Sequence, residues 1–195
     1  MPVAKGTTID PERTRATILH AVTQVLYERG LDGIGVAELC ARLGVSKETL
    51  YRHFGSKDGL VQAMLEARSD RVVRWLTDAV EAAGDDPADQ LTALFDTLQG
   101  WYDEPAFRGC ALLNAATQHH TGTVRAITTR HLGRYLELLT GIADRAGAAD
   151  PRQLGQQLLI LVEGATVVAD HHSPTHAGEH ALQAALTLLA TTRRT

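Results

Sequence analysis

The feature that most limits how this chain can fold is a glycine, Gly44, between two short amphipathic runs. Before it, Val36, Leu39, Cys40 and Leu43 fall at i, i+3, i+4 and i+7, one face of an α-helix. Gly44 supplies the positive φ that ends a helix and turns the chain, and Val45 fills the corner. Ser46 is an N-cap: its hydroxyl accepts from the free N–H groups of the next turn. The second helix, Lys47 to Phe54, buries Leu50 and Phe54 and exposes Lys47, Glu48, Thr49, Tyr51, Arg52 and His53. Two helices joined by a short Gly-containing turn predict a helix-turn-helix, a motif whose second helix enters the major groove of DNA. Lys, Thr, Tyr, Arg and His on one exposed face are the types that donate to phosphates and base edges.

The run Gly44-Val45-Ser46-Lys47-Glu48-Thr49-Leu50-Tyr51-Arg52-His53-Phe54, followed by Ser56-Lys57-Asp58-Gly59-Leu60, resembles the TetR family of bacterial transcriptional regulators. The resemblance extends from about Thr14 to Leu65 and beyond that rests on length and an all-helical pattern. It implies phosphate contacts at Tyr51, His53 and Lys57, with Arg52 at the boundary between bases and phosphates. The first turn of the second helix holds the expected base readers. Lys47 donates to guanine O6 and N7, and the Thr49 methyl meets a thymine methyl. Glu48 either accepts from cytosine N4 or simply favours the positive end of the helix dipole. Ser46 completes the expected DNA-facing set. One position departs from the family pattern: where a Ser or Thr usually caps the preceding helix and touches a phosphate, this chain has Ile34-Gly35.

Composition fits an all-α protein of about nine helices. Hydrophobic residues are 44% of the 195, aromatics 5%, and prolines only 6, which favours helices over sheets. There is no run of 18 apolar residues and no signal-peptide hydrophobic region, so a cytoplasmic protein without a membrane partner is expected. The net charge of −4 is unevenly spread. Residues 1–60 hold eight Lys or Arg against seven Asp or Glu, and residues 61–195 hold eleven against sixteen. An acidic remainder lowers non-specific DNA affinity.

The expected division is a helix-turn-helix domain over residues 1–55 and a helical regulatory and dimerisation domain over 56–195. Met1 to Asp10 lacks periodicity, and Lys5 is the only cation there to touch DNA. The first helix starts near Pro11 after an Asp10 cap, carries Ile18, Val22, Val25 and Leu26 inward, and stops at Gly30. A long helix from Lys57 to about Ala83 has Val61, Met64, Leu65, Val72, Trp75, Leu76 and Ala79 on its apolar face. Further helices are expected over Pro87–Gly100, Gly109–His119 and Val124–Ala146, with Tyr102–Arg108 as a loop. Leu154 to Val168 is apolar nearly all round and needs partners on several sides. With the Ala/Leu face of 181–189 it predicts a homodimer through the last two helices, whose two-fold symmetry matches a palindromic operator.

The regulatory domain is expected to hold a small, mostly apolar effector. Trp75, Phe95, Trp101, Phe107 and Tyr135 supply walls, and Asn114, Gln118 and His131 a few polar groups. Cys110 belongs to this set and offers a second reading, a redox- or electrophile-sensing regulator. Cys40 reads as packing. His119, His120, His171, His172, His176 and His180 lack the companion motifs of a metal site and read as solvated or pocket-lining. No P-loop, Gly-x-Ser-x-Gly or dinucleotide motif is present, so neither an enzyme nor a cofactor is expected. A helical enzyme that binds a small molecule is the remote alternative.

Overall fold

A computed structural model of the chain describes residues 11–29, 34–118, 122–171 and 176–191. Among these residues there are nine helices and no strand: α1 (Pro11–Arg29), α2 (Val36–Leu43), α3 (Lys47–Phe54), α4 (Lys57–Ala82), α5 (Pro87–Tyr102), α6 (Ala111–Gln118), α7 (Gly122–Arg145), α8 (Pro151–His171) and α9 (Ala177–Thr191). The all-α expectation holds. None of these helices is long and apolar enough to cross a membrane. Lys5, Asp10, Gly30, His119, His120 and His172 lie outside the described residues, as does the side chain of Leu26.

The punctuation works as the sequence predicts. Gly44 sits at φ 65°, ψ 27°, and the N–H groups of Gly44 and Val45 reach back to Ala41 and Cys40 carbonyls that the helix leaves unpaired. The Thr49 N–H donates to Ser46 Oγ at 3.0 Å, and the Gly59 N–H to Ser56 Oγ at 2.9 Å, so both serines cap. Gly35 precedes α2 in an extended conformation with no side-chain cap. Two boundaries differ from expectation. Gly100 does not end α5, because Leu98 and Tyr102 continue its buried stripe for another turn, so Tyr102 is helical rather than the start of a loop. Gly109 and Cys110 lie outside α6, and the Cys110 carbonyl accepts the Asn114 N–H at its start.

The chain divides into two compact units, Met1–Arg68 and Ser69–Thr195, with the division inside α4. In the first unit Ile18, Val22, Leu39, Leu50, Leu60 and Leu65 form a small aliphatic core. The Arg15 guanidinium lies over the Phe54 ring, 5.2 Å from its centroid, which adds a cation–π contact at the edge of that core.

In the second unit Leu91, Leu94, Phe95 and Leu98 of α5 are almost wholly buried, against α7, α8 and α9. The helices α7 and α8 pack tightly at Gly155, where a Cβ would stand 2.5 Å from Thr140 Oγ1 and 3.0 Å from its backbone nitrogen. Hydrogen bonds tie helices that lie far apart in sequence. Arg145 donates through Nε and Nη2 to Gln90 Oε1, at 3.0 and 2.7 Å. The Gly178 N–H donates to Gln99 Oε1 at 2.9 Å.

Candidate functional site

The first candidate surface is α3. Burying Leu50 and Phe54 turns the other six residues of this eight-residue helix toward solvent or the margin. Ser46, Lys47, Glu48, Tyr51 and Arg52 are exposed, while Thr49, His53 and Lys57 are half-buried. Tyr51 keeps 43% of its surface exposed, unusual for so large a ring without a partner. The helix is about 12 Å long, which a B-DNA major groove admits. Its first turn is held rigid because Ser46 Oγ is 3.0 Å from both the Thr49 N–H nitrogen and Thr49 Oγ1. Arg52 Nη2 donates to Glu48 Oε1 at 2.8 Å across one turn. That pair joins the two residues whose DNA roles were expected to be separate. Seven of the eight expected DNA-facing residues lie on α3 or its cap and Lys57 starts α4, and two of them, Glu48 and Arg52, pair with each other.

The second candidate region lies inside Ser69–Thr195. The expected aromatic walls are brought together, but largely by stacking on one another. Trp75 and Trp101 meet edge-to-face at 6.4 Å, and Trp101 meets Phe107 in the same way at 4.8 Å. Phe95, Phe107 and Tyr135 are buried, whereas Trp75 is 39% exposed instead of lying on the inner face of α4. Asn114 Nδ2 donates to the Arg108 carbonyl at 2.7 Å, and Gln118 is exposed. His131, only 1% exposed, stacks near Tyr135 at 4.5 Å. Its Nδ1 lies 3.0 Å from Ser69 Oγ and its Nε2 lies 4.0 Å from Cys110 Sγ.

Several polar residues here were not singled out in the sequence. Ser69 falls on the inward stripe of α4 between Leu65 and Leu76, and a serine at a core position was a readable signal. Tyr102 donates to or accepts from Thr166 Oγ1 at 2.9 Å, and burial pushes its phenol well above the ordinary value. Glu163, one turn before Thr166, has an Oε2 with no hydrogen-bond partner among the described residues. Burial pushes its carboxyl up to about 7.

A cleft of about 660 Å³ opens beside this interior. Tyr102, Phe107 and Ala169 form its apolar part, and Asp103, Glu104, Asp170 and Glu179 place four carboxylates around it. Of the residues expected to bind a ligand, Phe107 is the one in its lining. Among the described residues no group of three or more His, Cys, Asp or Glu could hold a metal ion. His176 and His180 are exposed, with His176 Nδ1 3.2 Å from Glu179 Oε1.

Comparison with known proteins adds to this geometry. Residues 18–64 match the family model described as "Bacterial regulatory proteins, tetR family". The HTH-type transcriptional regulator BetI of Stenotrophomonas maltophilia is 33% identical over 108 residues, 53% of this chain and 51% of that protein. The HTH-type transcriptional activator FasR of Mycolicibacterium smegmatis is 33% identical over 81 residues, 42% of this chain and 37% of that protein. The chain thus spans about half the length of one of these relatives and less of the other. Similarity in structure is more extensive. The crystal structure of a TetR-family transcriptional regulator from Streptomyces coelicolor aligns with a TM-score of 0.81 at 27% identity, covering 94% of this chain and 97% of that one. All three are named as regulators, not as enzymes.

Proposed function

From the premise that the chain belongs to the TetR family, we propose that it is a ligand-responsive transcriptional repressor that binds a palindromic DNA operator as a homodimer. It works in the cytoplasm, with residues 1–55 reading DNA and residues 56–195 carrying effector binding and dimerisation. The observation that carries this reading is the α3 face, where Lys47, Thr49, Tyr51, Arg52 and His53, with Lys57 just beyond, surround a rigidly capped first turn. Lys47 and Thr49 read base edges, Glu48 and Ser46 hold the first turn, and Tyr51, Arg52, His53 and Lys57 position the backbone.

Dimerisation is supported by α8. Ile160 is 70% exposed, Val167 52% and Val168 48%, and with the exposed Gly164 they form an apolar stripe at i, i+4, i+7 and i+8. A stripe of this kind on the outer side of α8 suits isologous packing against a second copy, and α9 continues it with half-buried Leu182 and Leu186.

The effector is a small, partly apolar molecule, and the cleft on Tyr102 and Phe107 supports this reading because it joins aromatic walls to hydrogen-bonding carboxylates. Effector binding changes DNA affinity only by its difference in affinity between two states of the dimer, a coupling of about 1–3 kcal/mol in typical cases.

The test is fluorescence anisotropy with DNA from upstream of the protein's own gene and a scrambled control, over a series of salt concentrations. Lys57→Ala weakens binding to both and flattens the salt slope by about one unit. Lys47→Ala removes the preference for the operator over the control. If Lys57→Ala leaves affinity and slope unchanged, α3 does not dock as assigned. Light scattering on the same samples reads the dimer, and Leu161→Asp with Leu186→Asp yields monomers that no longer hold the operator.

A further inference from the structure

Cys110, His131 and Ser69 form a chain of contacts, from the start of α6 through α7 to α4. His131 is almost fully buried and its two ring nitrogens face different partners: Nδ1 toward Ser69 Oγ at 3.0 Å, Nε2 toward Cys110 Sγ at 4.0 Å. Ser69 is itself fixed. Arg134 Nη1 donates to its Oγ at 3.3 Å and to Asp70 Oδ1 at 2.6 Å, so the serine oxygen cannot drift away from the imidazole without breaking a second contact. Cys110 is partly exposed and in no disulfide, whereas Cys40 is 6% exposed in the other unit. A thiol beside an imidazole, with the imidazole oriented by a third group, is the arrangement that activates a cysteine nucleophile.

We propose that Cys110 is a covalent acceptor for soft electrophiles of the α,β-unsaturated carbonyl class, with His131 as its proton acceptor and Ser69 as the residue that positions the ring. In the reaction the Sγ proton passes to Nε2, and Nδ1–H donates to Ser69 Oγ. The sulfur forms a bond to the β-carbon, and the π electron pair moves toward the carbonyl oxygen. The Nε2 proton is then delivered to the α-carbon, which leaves a thioether and a neutral histidine. No oxidant or reductant is consumed. The S–C bond thus forms beside His131, whose other ring nitrogen faces Ser69 of α4.

N-ethylmaleimide, a cyclic member of the class, is the probe. The full-length chain is mixed with it and followed by intact mass and peptide mapping, with glutathione as the reference thiol in the same buffer. One adduct forms, on Cys110, at least about a hundredfold faster than on glutathione, the low end of what a positioned base contributes. Cys40, buried in the other unit, stays unmodified, and the emission of Trp75 and Trp101, which share the unit of Cys110, is the folding control. Ser69→Ala slows labelling of Cys110 toward the glutathione rate, Ser69→Thr restores it because the hydroxyl returns, and His131→Gln slows it as much as Ser69→Ala. Labelling of the wild type no faster than glutathione overturns the proposal. So does Ser69→Ala labelling at the wild-type rate with a native tryptophan emission. Should a variant lose its fold, the emission of Trp75 and Trp101 shifts to the red, and the wild-type rate against glutathione then decides by itself. The measurement involves no DNA, so its result is separate from whether the chain represses transcription.

Discussion

In Met1–Arg68 the distinctive polar side chains stand on the outside of α3, whereas in Ser69–Thr195 they are folded inward among α4, α5, α7 and α8. Tyr51 and His131 show the contrast: the first is a large ring left 43% exposed, the second an ionisable ring left 1% exposed. In the head the polar face is free to meet a partner, and the aliphatic core beneath it only has to keep the face in register. In the second unit, polar groups such as Ser69, Gln90, Thr128, His131 and Thr166 occupy core positions and must find partners inside: Ser69 pairs with His131, Gln90 with Arg145 and Thr166 with Tyr102, while Thr128 donates to the Leu112 and Val124 carbonyls. The lesson is that a surface site is built from independent residues, while an interior site is a network in which each member holds the next.

The largest expected effect tests whether the two regions are separate at all. Phe95, fully buried in the second unit, loses about 3–5 kcal/mol of stability on replacement by Ala. Leu50→Ala costs the head roughly 2–5 kcal/mol by the same mechanism. Trp75 and Trp101 both lie in the second unit, so tryptophan fluorescence in urea reports that unit. Phe95→Ala moves the fluorescence midpoint strongly and Leu50→Ala hardly moves it, while Leu50→Ala abolishes DNA binding. Equal shifts from both substitutions would break the comparison, because the chain would then unfold as one body.

A smaller effect sharpens the claim that the interior network is incompletely satisfied. Glu163 carries a buried carboxylate oxygen without a hydrogen-bond partner among the described residues, and burial raises its carboxyl from 4.5 to about 7, with Tyr102 within electrostatic reach. A raised folded-state value means that stability is full below about 4.5 and is lost as pH rises through about 7. Glu163→Gln removes the ionisable group, so at pH 8 it stabilises the second unit by roughly 2–3 kcal/mol, and near pH 4.5 it changes little. Thermal melts at the two pH values read the difference. A variant with the same gain at both would mean that shape, not charge, governs the site.

Gly155→Ala follows in size. Its new Cβ meets Thr140 Oγ1 at 2.5 Å and the Thr140 backbone at 3.0 and 3.1 Å, so α7 and α8 must separate slightly, at a cost of about 1–3 kcal/mol. Pairing it with Thr140→Ala, which removes Oγ1, leaves most of the cost if the backbone contacts dominate, and denaturation of the single and double variants distinguishes that from a side-chain clash.

These differences also explain how much was legible in the sequence. Helix-turn-helix chemistry is local: Gly44, Ser46 and the 47–54 periodicity are read from neighbours in the chain, and the caps and boundaries follow. The inner network is non-local. His131 was visible as a polar group on an inward stripe, but its partners Ser69 and Cys110 are 62 and 21 residues away, and no periodicity links them. The aromatic residues announced themselves as apolar, yet whether they line a cavity or stack depends on ring placement, and Trp101 stacks on both Trp75 and Phe107. The carboxylate-lined cleft was missed because Asp103, Glu104, Asp170 and Glu179 come from three chain segments, each of which reads alone as an ordinary solvated end.

The smallest effect on stability bears most directly on the head. Arg52 and Glu48 pair across one turn of α3 with both side chains well exposed, 65% and 83%. Such i, i+4 pairs contribute only about 0.3–0.5 kcal/mol, so Glu48→Gln leaves the folding midpoint nearly unchanged. On DNA the same change is larger, because a carboxylate on the docking face repels phosphates and holds the guanidinium that would otherwise meet them. If Glu48 serves only the helix, affinity rises for operator and scrambled DNA alike and the salt slope steepens, since Arg52 is released to the backbone. If Glu48 instead accepts from a cytosine N4, operator affinity falls at that base pair by about 1–3 kcal/mol while scrambled DNA is bound more tightly. Measuring both DNAs with the one variant separates the two roles. An unchanged affinity for both would show that α3 does not approach DNA by the turn that carries Glu48 and Arg52, and the outward-facing chemistry of the head would have to be sought elsewhere on its surface.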